Sequence, residues 1–408
     1  MEPATFARDP EVPAHVAPDL VYPYNVFEPN PDGGDVFEAL YALKKQAPPI
    51  FWTPHNGGHW YVVDGVLARR MFEDPEHFSS QMLMLQREAN PPKGQGLTPI
   101  HLDPPEHAPY RQVLLQALSR RTVVDMMAHI RRYTVDLIER IKPLGRCNFA
   151  EDVAYLLPTQ VFIHLVNLPP EYMEGLEWRI AALHDVHADK ALMFAEIQEH
   201  LSSFVTERIA NPGDDVVSWL SRQQVNGARI GKKHLDSITA LLLIAGLGTI
   251  TDTYASIFRY LADHPEQCAY IKAHPEKMNG VVEELIRRFP VMLADTARLC
   301  VKEQTLGAAQ IRADDIVLAT PAMMNFEDQF YDDPLGVDFD RVINHNGTFS
   351  HGPHKCIGAP LARALLAILI EEWLERIPDF WVSKEEPCEP VIELNLVYPR
   401  LIFEWPVN

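Results

Sequence analysis

One cysteine, placed where a tight loop enters a helix, constrains the fold of this chain more than any other feature. Cys356 lies within the stretch FSHGPHKCIG, residues 349–358, and apolar residues then recur at helical spacing to about Ile377. Gly352 and Gly358 permit a tight turn or a close approach that a Cβ would obstruct. We expect the free N–H groups of the helix start to lower the pKa of the thiol and to favour the metal-binding thiolate.

Four residues of this loop follow the pattern Phe-x-x-Gly-x-x-x-Cys-x-Gly: Phe349, Gly352, Cys356 and Gly358. The pattern resembles the haem-ligand loop of the cytochrome P450 monooxygenases, in which the cysteine is the axial thiolate on the haem iron. The resemblance implies that Cys356 is the metal ligand, that Phe349 and Gly358 lie beside the cofactor, and that the cofactor is haem b. The alternative is an ordinary buried cysteine beside a helix, and the four matched positions argue against it.

The fold expected from the resemblance is mainly α with small β-sheets, a triangular helical prism around a buried haem. The 408 residues, 47% of them apolar, can bury one large core. We expect a Pro-rich N-terminal extension over residues 1–35 and a single cytochrome P450 domain over residues 36–408. Helical patterns dominate the middle of the chain, and short strand-like runs such as 50–52, 60–63 and 316–319 predict small sheets.

Charge and cysteine content restrict the partners and the location of the protein. The 36 basic and 56 acidic residues give a net charge of −20, which disfavours nucleic acid and anionic membranes as partners. The five cysteines are widely spaced and contain no C-x-x-C pair, so neither a disulfide framework nor a zinc site is indicated. The N-terminus lacks the pattern of a signal peptide or membrane anchor. These features predict a soluble, cytoplasmic protein, expected to be a monomer.

A second motif lies in a long apolar helix predicted over residues 235–262. Gly246 and Gly248 stand in its interior, where each costs about 1 kcal/mol relative to alanine. In the family this helix bulges over the haem and leaves a groove for dioxygen, and Thr249 falls on the threonine that assists dioxygen activation. The residue before that threonine is usually acidic in the family, but here it is Gly248. Asp252, one turn along, is a candidate proton donor, although a solvent-exposed or ion-paired role is equally open.

Other motifs of the family occur in the expected order. His107 and Arg111 form a His-x-x-x-Arg pair on one helical face, and with Arg298 and His354 they are expected to bind the haem propionates. Glu284 and Arg287 form the Glu-x-x-Arg motif, which together with Arg341 would make a structural charge network under the cysteine loop. An isolated pair of either kind is common on any helix, and the spacing from Cys356 gives these pairs their weight.

The substrate is expected to be small and hydrophobic. Residues 78–101 form a long apolar loop, which is typical of a lid over a binding site. The resemblance to the camphor-hydroxylase-like enzymes suggests a terpenoid or norisoprenoid, but no aromatic residue lies between Phe78 and Tyr110, so the tyrosine that holds the camphor ketone is missing. The expected pocket residues are Met82, Met84, Leu97, Ile100, Leu241, Ile244, Ala245 and Leu293.

The chain carries no flavin or nicotinamide motif, so we expect electrons from a separate 2Fe-2S ferredoxin and its reductase, with O2 as co-substrate. Arg111, Arg120, Arg121 and Lys355 would offer such a partner local positive charge, unless they are ordinary surface residues. Two other classes stay open: a haem-thiolate peroxygenase or isomerase, and a non-enzymatic haem-binding sensor.

Overall fold

The computed structural model describes residues 10–30, 34–173, 176, 179, 190–294 and 296–407. Parts of the predicted N-terminal extension, residues 1–9 and 31–33, lie outside these ranges. The prediction of a mainly helical protein with small β-sheets is confirmed. The α-helices are Val36–Gln46, Gly65–Glu73, His107–Ala117, Arg120–Ile141, Leu156–Val166, Pro170–Met173, Lys190–Ala210, Val216–Ser221, Lys232–Asp263, Pro265–Ala273, Met278–Arg288, Pro321–Asn325 and Ala359–Arg376.

The helix Lys232–Asp263, here called the central helix, runs through the middle of the molecule for 32 residues. It packs on the helix Lys190–Ala210, on Leu156–Val166 and on a π-helical turn, Ala150–Tyr155. Its length and apolar composition would suffice to cross a membrane, but more than half of its most apolar window is buried inside the protein. The central helix is therefore the core helix that its sequence predicts. The helix starts three residues before the predicted position. Its first turn consists of Lys232, Lys233 and His234, which are exposed or half-exposed and therefore do not belong to the apolar pattern.

The strands form one larger sheet and several small ones. The five-stranded sheet has the order β1-β2-β10-β7-β3, and only β10 and β2 are parallel. A three-stranded sheet has the order β11-β14-β4. The strands are β1 Ile50–Thr53, β2 His59–Val62, β3 Phe78–Ser79, β4 Arg146–Asn148, β5 Gln224–Val225, β6 Ala228–Arg229, β7 Arg298–Cys300, β8 Gln304–Leu306, β9 Ala309–Ile311, β10 Ile316–Ala319, β11 Trp381–Val382, β12 Val391–Ile392, β13 Leu396–Val397 and β14 Ile402–Glu404. β5–β6, β8–β9 and β12–β13 are separate antiparallel hairpins.

The described part of the N-terminal segment packs against the five-stranded sheet. The Tyr22 N–H donates to the Trp52 carbonyl oxygen at 2.9 Å, and the Tyr24 N–H donates to Thr53 Oγ1 at 3.1 Å. Tyr24 and Val26 belong to the main hydrophobic cluster. Burial of these side chains ties the segment to the rest of the fold. The boundary at residue 35 stays a prediction, and we propose that one folded unit begins before it.

Candidate functional site

The cysteine loop, residues 346–358, is closed by its own backbone. The Cys356 N–H donates to the Phe349 carbonyl oxygen at 2.8 Å, and the Lys355 N–H donates to the Gly352 carbonyl oxygen at 3.2 Å. Gly352 has a φ of +69°, and a Cβ there would lie 2.2 Å from the Phe72 carbonyl oxygen. Only glycine therefore allows this loop to lie directly against the helix Gly65–Glu73.

The thiol of Cys356 lies just before the helix Ala359–Arg376 and is exposed to open space. Desolvation of the thiol raises its pKa. Hydrogen bonds from the backbone of Gly358 and Ala359 and the charge of Arg111 act in the opposite direction. The expectation of a lowered thiol pKa is therefore wrong for the protein alone, because desolvation outweighs the helix start. A Cβ at Gly358 would lie 3.7 Å from Sγ, an ordinary contact, so protein packing alone does not require glycine there.

A buried charge network lies beside this loop. Glu284 accepts two hydrogen bonds from Arg287, at 2.7 and 2.8 Å, and one from Arg341 Nε at 3.0 Å. Both Glu284 and Arg287 have no exposed surface. Arg287 also donates to the carbonyl oxygens of Asn325, Pro334 and Gly336. The three predicted structural residues thus meet, and their charges are paired and fully hydrogen bonded, as buried charges must be.

The four side chains expected to bind the propionates converge on the other side of the cysteine. The rings of His107 and His354 lie 4.2 Å apart, and Arg111 donates to the Lys355 carbonyl oxygen. Burial, followed by the charges of Arg298, His107 and Arg111, lowers the pKa of His354 to about 2. Burial and the charge of Arg111 lower the pKa of His107 to about 4. Burial first, and the neighbouring positive charges second, therefore favour neutral imidazole at both positions.

Two polar atoms in this group have no acceptor. His107 Nε2 and His354 Nε2 are buried without a hydrogen-bond partner among the described residues. Asp103, the carboxylate that acts on His107, is already bound by the Ser79 hydroxyl and by the Ser80 N–H, the latter at 2.8 Å. Unpaired buried nitrogens are costly. The group as a whole therefore calls for an anionic ligand.

The central helix passes the site with its two glycines. Within the part of the chain that the structure describes, no packing neighbour lies within 4 Å of the Cβ positions of Gly246 or Gly248, so both face open space. The helix is α-helical throughout Lys232–Asp263, and the expected bulge is not present. The groove beside Thr249 comes from missing side chains instead. The Thr249 hydroxyl donates to the Ala245 carbonyl oxygen at 3.1 Å.

Asp252 lies inside the protein, only 4% exposed, so the alternative of a solvent-exposed residue is wrong. Its Oδ2 accepts a hydrogen bond of 2.8 Å from Asn395 Nδ2, on the loop between β12 and β13. The neighbouring hydroxyls are also engaged. Thr251 donates to the Ala154 carbonyl oxygen at 3.1 Å, and Thr253 donates to the Thr249 carbonyl oxygen at 2.6 Å.

The eight expected pocket residues divide into two groups. Six are partly or fully exposed although they are apolar and lie in the loop 78–101 or on the central helix: Met84, Leu97, Ile100, Leu241, Ile244 and Ala245. Met82 and Leu293 are 6% and 1% exposed and belong to the main hydrophobic cluster. The structure thus places these two in the core because their side chains are covered by protein, and it leaves six residues for an apolar wall.

Comparison with known proteins gives consistent results. A family model described as Cytochrome P450 matches residues 276–399. The probable cytochrome P450 127A1 of Sinorhizobium fredii is 27% identical over 407 residues, 97% of each chain. The cytochrome P450 monooxygenase PikC of Streptomyces venezuelae is 29% identical over 337 residues, 80% of each chain.

Solved structures superpose over almost the whole chain. The crystal structure of CYP101J2 has a TM-score of 0.89 and 29% identity and covers 98% of this chain and 100% of its own. That of cytochrome P450 CYP101C1 has a TM-score of 0.90 and 28% identity, with 97% and 100% covered. The chain belongs to the cytochrome P450 family. This cytochrome P450 is a monooxygenase, and its cofactor is haem b.

The residues of this cytochrome P450 fit haem. Propionate carboxylates would supply the acceptors that His107 Nε2 and His354 Nε2 lack among the described residues. The exposed Cys356 would offer the iron ligand, and iron's positive charge would favour the thiolate. Open space at Gly246 and Gly248 would leave room for the cofactor and a substrate.

Sequence reasoning missed three parts of the site of this cytochrome P450. His101 lies within electrostatic reach of Arg298 and His354. Asn395 reaches Asp252. Thr98 anchors the loop 78–101, because its N–H donates to Ser237 Oγ at 2.6 Å and its hydroxyl lies 3.0 Å from His234 Nδ1. The only available signal was an unexplained histidine in an apolar loop.

Proposed function

We propose that this cytochrome P450 hydroxylates a small hydrophobic substrate of the terpenoid or norisoprenoid class, with electrons from a 2Fe-2S ferredoxin. The observation that supports the substrate class is the proposed wall of six apolar side chains, which stay partly or fully exposed. Met84, Leu97 and Ile100 supply it from the loop, and Leu241, Ile244 and Ala245 from the central helix. An apolar wall without aromatic or charged side chains suits a compact hydrocarbon skeleton.

In this proposal each residue of the haem site has a defined role. Cys356 holds the iron, while His107, Arg111, Arg298 and His354 bind the propionates. Haem supplies the oxygen-activating chemistry when it is bound. Phe349, which packs against the Arg363 guanidinium at 4.5 Å, supports the loop under the cofactor, and Gly358 lets the backbone approach it. The apolar wall excludes water from the reacting C–H bond.

Proton delivery falls to Thr249 and Asp252. The Thr249 hydroxyl can exchange its bond to the Ala245 carbonyl for one directed into the open space at Gly248. Asp252, three residues further on, holds a buried carboxylate that Asn395 fixes. We propose that this carboxylate replaces the acid missing at Gly248 and feeds protons to Thr249 through ordered water.

The electron donor is proposed to dock beside the cysteine loop. Arg120 and Arg121 are exposed on the helix Arg120–Ile141, and Lys355 is exposed in the loop itself. Val124 and Met127 follow Arg120 at helical spacing and are also exposed, at 56% and 36%. Positive charge around an apolar patch suits an acidic ferredoxin. We further propose a cytoplasmic, monomeric protein.

A spin-state titration tests the substrate class. Ferric protein is titrated with monoterpenoid and norisoprenoid ketones, and with fatty acids and macrolides as competitors. We expect a low-to-high-spin shift and a hydroxylated product only with the first two groups. The variant Ile244→Phe, which fills the wall, should weaken binding at least about tenfold. Val342→Phe, at a side chain that is 76% exposed, is the matched control and should change nothing. Preferential binding of macrolides or fatty acids would contradict the proposal.

The electron donor is tested separately by charge reversal. Arg120→Glu together with Arg121→Glu should slow reduction by a 2Fe-2S ferredoxin at low salt, and added salt should diminish the difference. Arg229→Glu, on the distant β5–β6 hairpin, is the control. Equal rates in both variants would contradict docking at this face. Turnover with peroxide but not with the ferredoxin would favour the peroxygenase alternative, and the absence of any turnover would favour a sensor.

A further inference from the structure

His101 lies in the lid loop and faces the same positive group as the four predicted propionate ligands. The charge of Arg298 acts on His101, and His101 in turn acts on His354. Five side chains that carry positive charge or donate hydrogen bonds therefore lie around one region of the site, and two of their nitrogens, on His107 and His354, have no acceptor among the described residues. His107 is only 2% exposed.

The backbone of the loop fixes the orientation and tautomer of the His101 ring. The Leu97 N–H donates to His101 Nδ1 at 3.1 Å, and the His101 N–H donates to the Leu97 carbonyl oxygen at 3.0 Å. Because Nδ1 accepts, the neutral ring carries its proton on Nε2. Burial and the charge of Arg298 lower the pKa of His101 to about 4. At neutral pH the ring is therefore uncharged. Its Nδ1 accepts from the loop backbone, and its Nε2–H on the far side of the ring is free to donate.

The ring packs tightly within the turn formed by residues 96–101. A Cβ at Gly96 would lie 2.5 Å from the His101 Cβ, so the ring occupies the space that a side chain at position 96 would need. Leu97 and Ile100, two residues of the proposed apolar wall, lie on this same turn. Whatever fixes His101 therefore also fixes these two substrate contacts.

We propose that His101 Nε2–H donates a hydrogen bond to a haem propionate and thereby fastens the lid turn 96–101 to the cofactor. This role rests on haem binding and not on the proposed substrate class. It makes the lid a part of the haem site, so that the wall contributed by Leu97 and Ile100 is ordered only when the cofactor is bound.

Two amide substitutions at His101 test the contributions of the two ring nitrogens, Nδ1 and Nε2, separately. In His101→Asn the side-chain oxygen can still accept from the Leu97 N–H, but the distal donor is lost. In His101→Gln the longer side chain restores a donor near the Nε2 position. We expect His101→Asn to lose haem to apomyoglobin about five- to tenfold faster than the unchanged protein, as is typical for one hydrogen bond to a charged group. His101→Gln should stay within about twofold of it.

Hydrogen exchange of the amides of residues 94–102 supplies a readout that does not depend on turnover. In the haem-bound protein these amides should exchange faster in His101→Asn, whereas in the haem-free protein the variant and the unchanged chain should be alike. His234→Ala is the matched control. It removes the contact between Thr98 and His234 Nδ1, so it should loosen the lid without accelerating haem loss.

Three results would overturn the inference. Haem loss at the unchanged rate in His101→Asn would exclude the propionate contact. Equal acceleration in the Asn and Gln variants, together with a lower melting temperature of the haem-free protein, would show that His101 only shapes the turn. Acceleration in His234→Ala equal to that in His101→Asn would show that any loosening of the lid releases haem. None of these outcomes depends on which substrate the enzyme hydroxylates.

Discussion

The cysteine side and the lid side of the site are built differently. The cysteine loop is backed by the fully buried Glu284 and Arg287, and its backbone closes on itself. The lid, the loop 78–101, is held by a few side chains: the Asn90 amide bridges four backbone groups of residues 83–86, and Thr98 reaches Ser237 and His234. Burial of charge therefore fixes the loop that carries the iron ligand, while the proposed substrate wall depends on contacts that can open at low cost.

The largest effect should come from breaking the network on the cysteine side. Glu284→Gln removes the charge that compensates the buried Arg287, and we expect a loss of about 3–5 kcal/mol in the free energy of unfolding together with loss of haem. Urea denaturation and haem content measure both. Glu283→Gln is the matched control, because Glu283 is half-buried and pairs with Arg363, and it should cost no more than about 1 kcal/mol. Equal costs would mean that burial does not decide the rigidity of this side.

A second test compares two glycines of positive φ, one on each side. Gly352→Ala must strain the backbone and push against the Phe72 carbonyl oxygen, so we expect a loss of about 2–4 kcal/mol in the free energy of unfolding. Gly94, in the lid, has a φ of +78° with no atom within 4 Å of its Cβ position. Gly94→Ala should cost only about 1 kcal/mol, from the backbone alone. Denaturation of both variants checks this, and a reversed order would contradict the comparison.

Gly248 lies on the central helix, between the two sides. Because its Cβ position is open, Gly248→Asp should fold normally and restore the acid that the family usually carries. If proton delivery limits the enzyme, the fraction of consumed electrons that ends in product should rise, by up to about tenfold. Gly248→Asn is the isosteric control without an acid. Unchanged coupling in Gly248→Asp would show that Asp252 or water already delivers protons at a sufficient rate.

The smallest effect should come from the lid anchor. Thr98→Val keeps the shape and the N–H bond to Ser237 but removes the hydroxyl near His234. Since one hydrogen bond contributes about 0.5–1.5 kcal/mol, substrate affinity should fall about two- to tenfold while the melting temperature stays the same. Thr305→Val, at an exposed hydroxyl bonded to Gln310, is the control. A large fall in melting temperature for Thr98→Val would mean that the lid is as rigid as the cysteine side.

Local sequence patterns predicted much of this architecture. The strand β10 has the predicted bounds, and the central helix and the helix after Cys356 begin and end within three residues of theirs. These elements follow from apolar spacing and from turn residues, which act over a few positions. Resemblance to a family then placed the cysteine loop, the two arginine motifs and the threonine. The two arginine motifs and Thr249 lie on helices, and the cysteine loop leads directly into one, so their positions in space follow from these elements.

Contacts that join distant loops were not predictable in this way. Asn395 bonds Asp252 across 143 positions, Thr98 bonds Ser237 across 139, and His101 is directed by a loop without regular structure. No periodic pattern records such pairings, because they depend on how whole elements pack. The expected bulge of the central helix is absent because the backbone need not distort there. Gly246 and Gly248 have no side chains, and this alone opens the groove.

The bond between Asn395 and Asp252 has a consequence for how the protein is made. A ribosome adds about 5–20 residues per second, so the 143 positions that separate the two partners correspond to about 7 to 29 s of synthesis. During that interval the residues of the central helix have been synthesised, while the loop between β12 and β13 has not. The carboxylate of Asp252 therefore receives its Asn395 partner only after the β12–β13 hairpin has been translated.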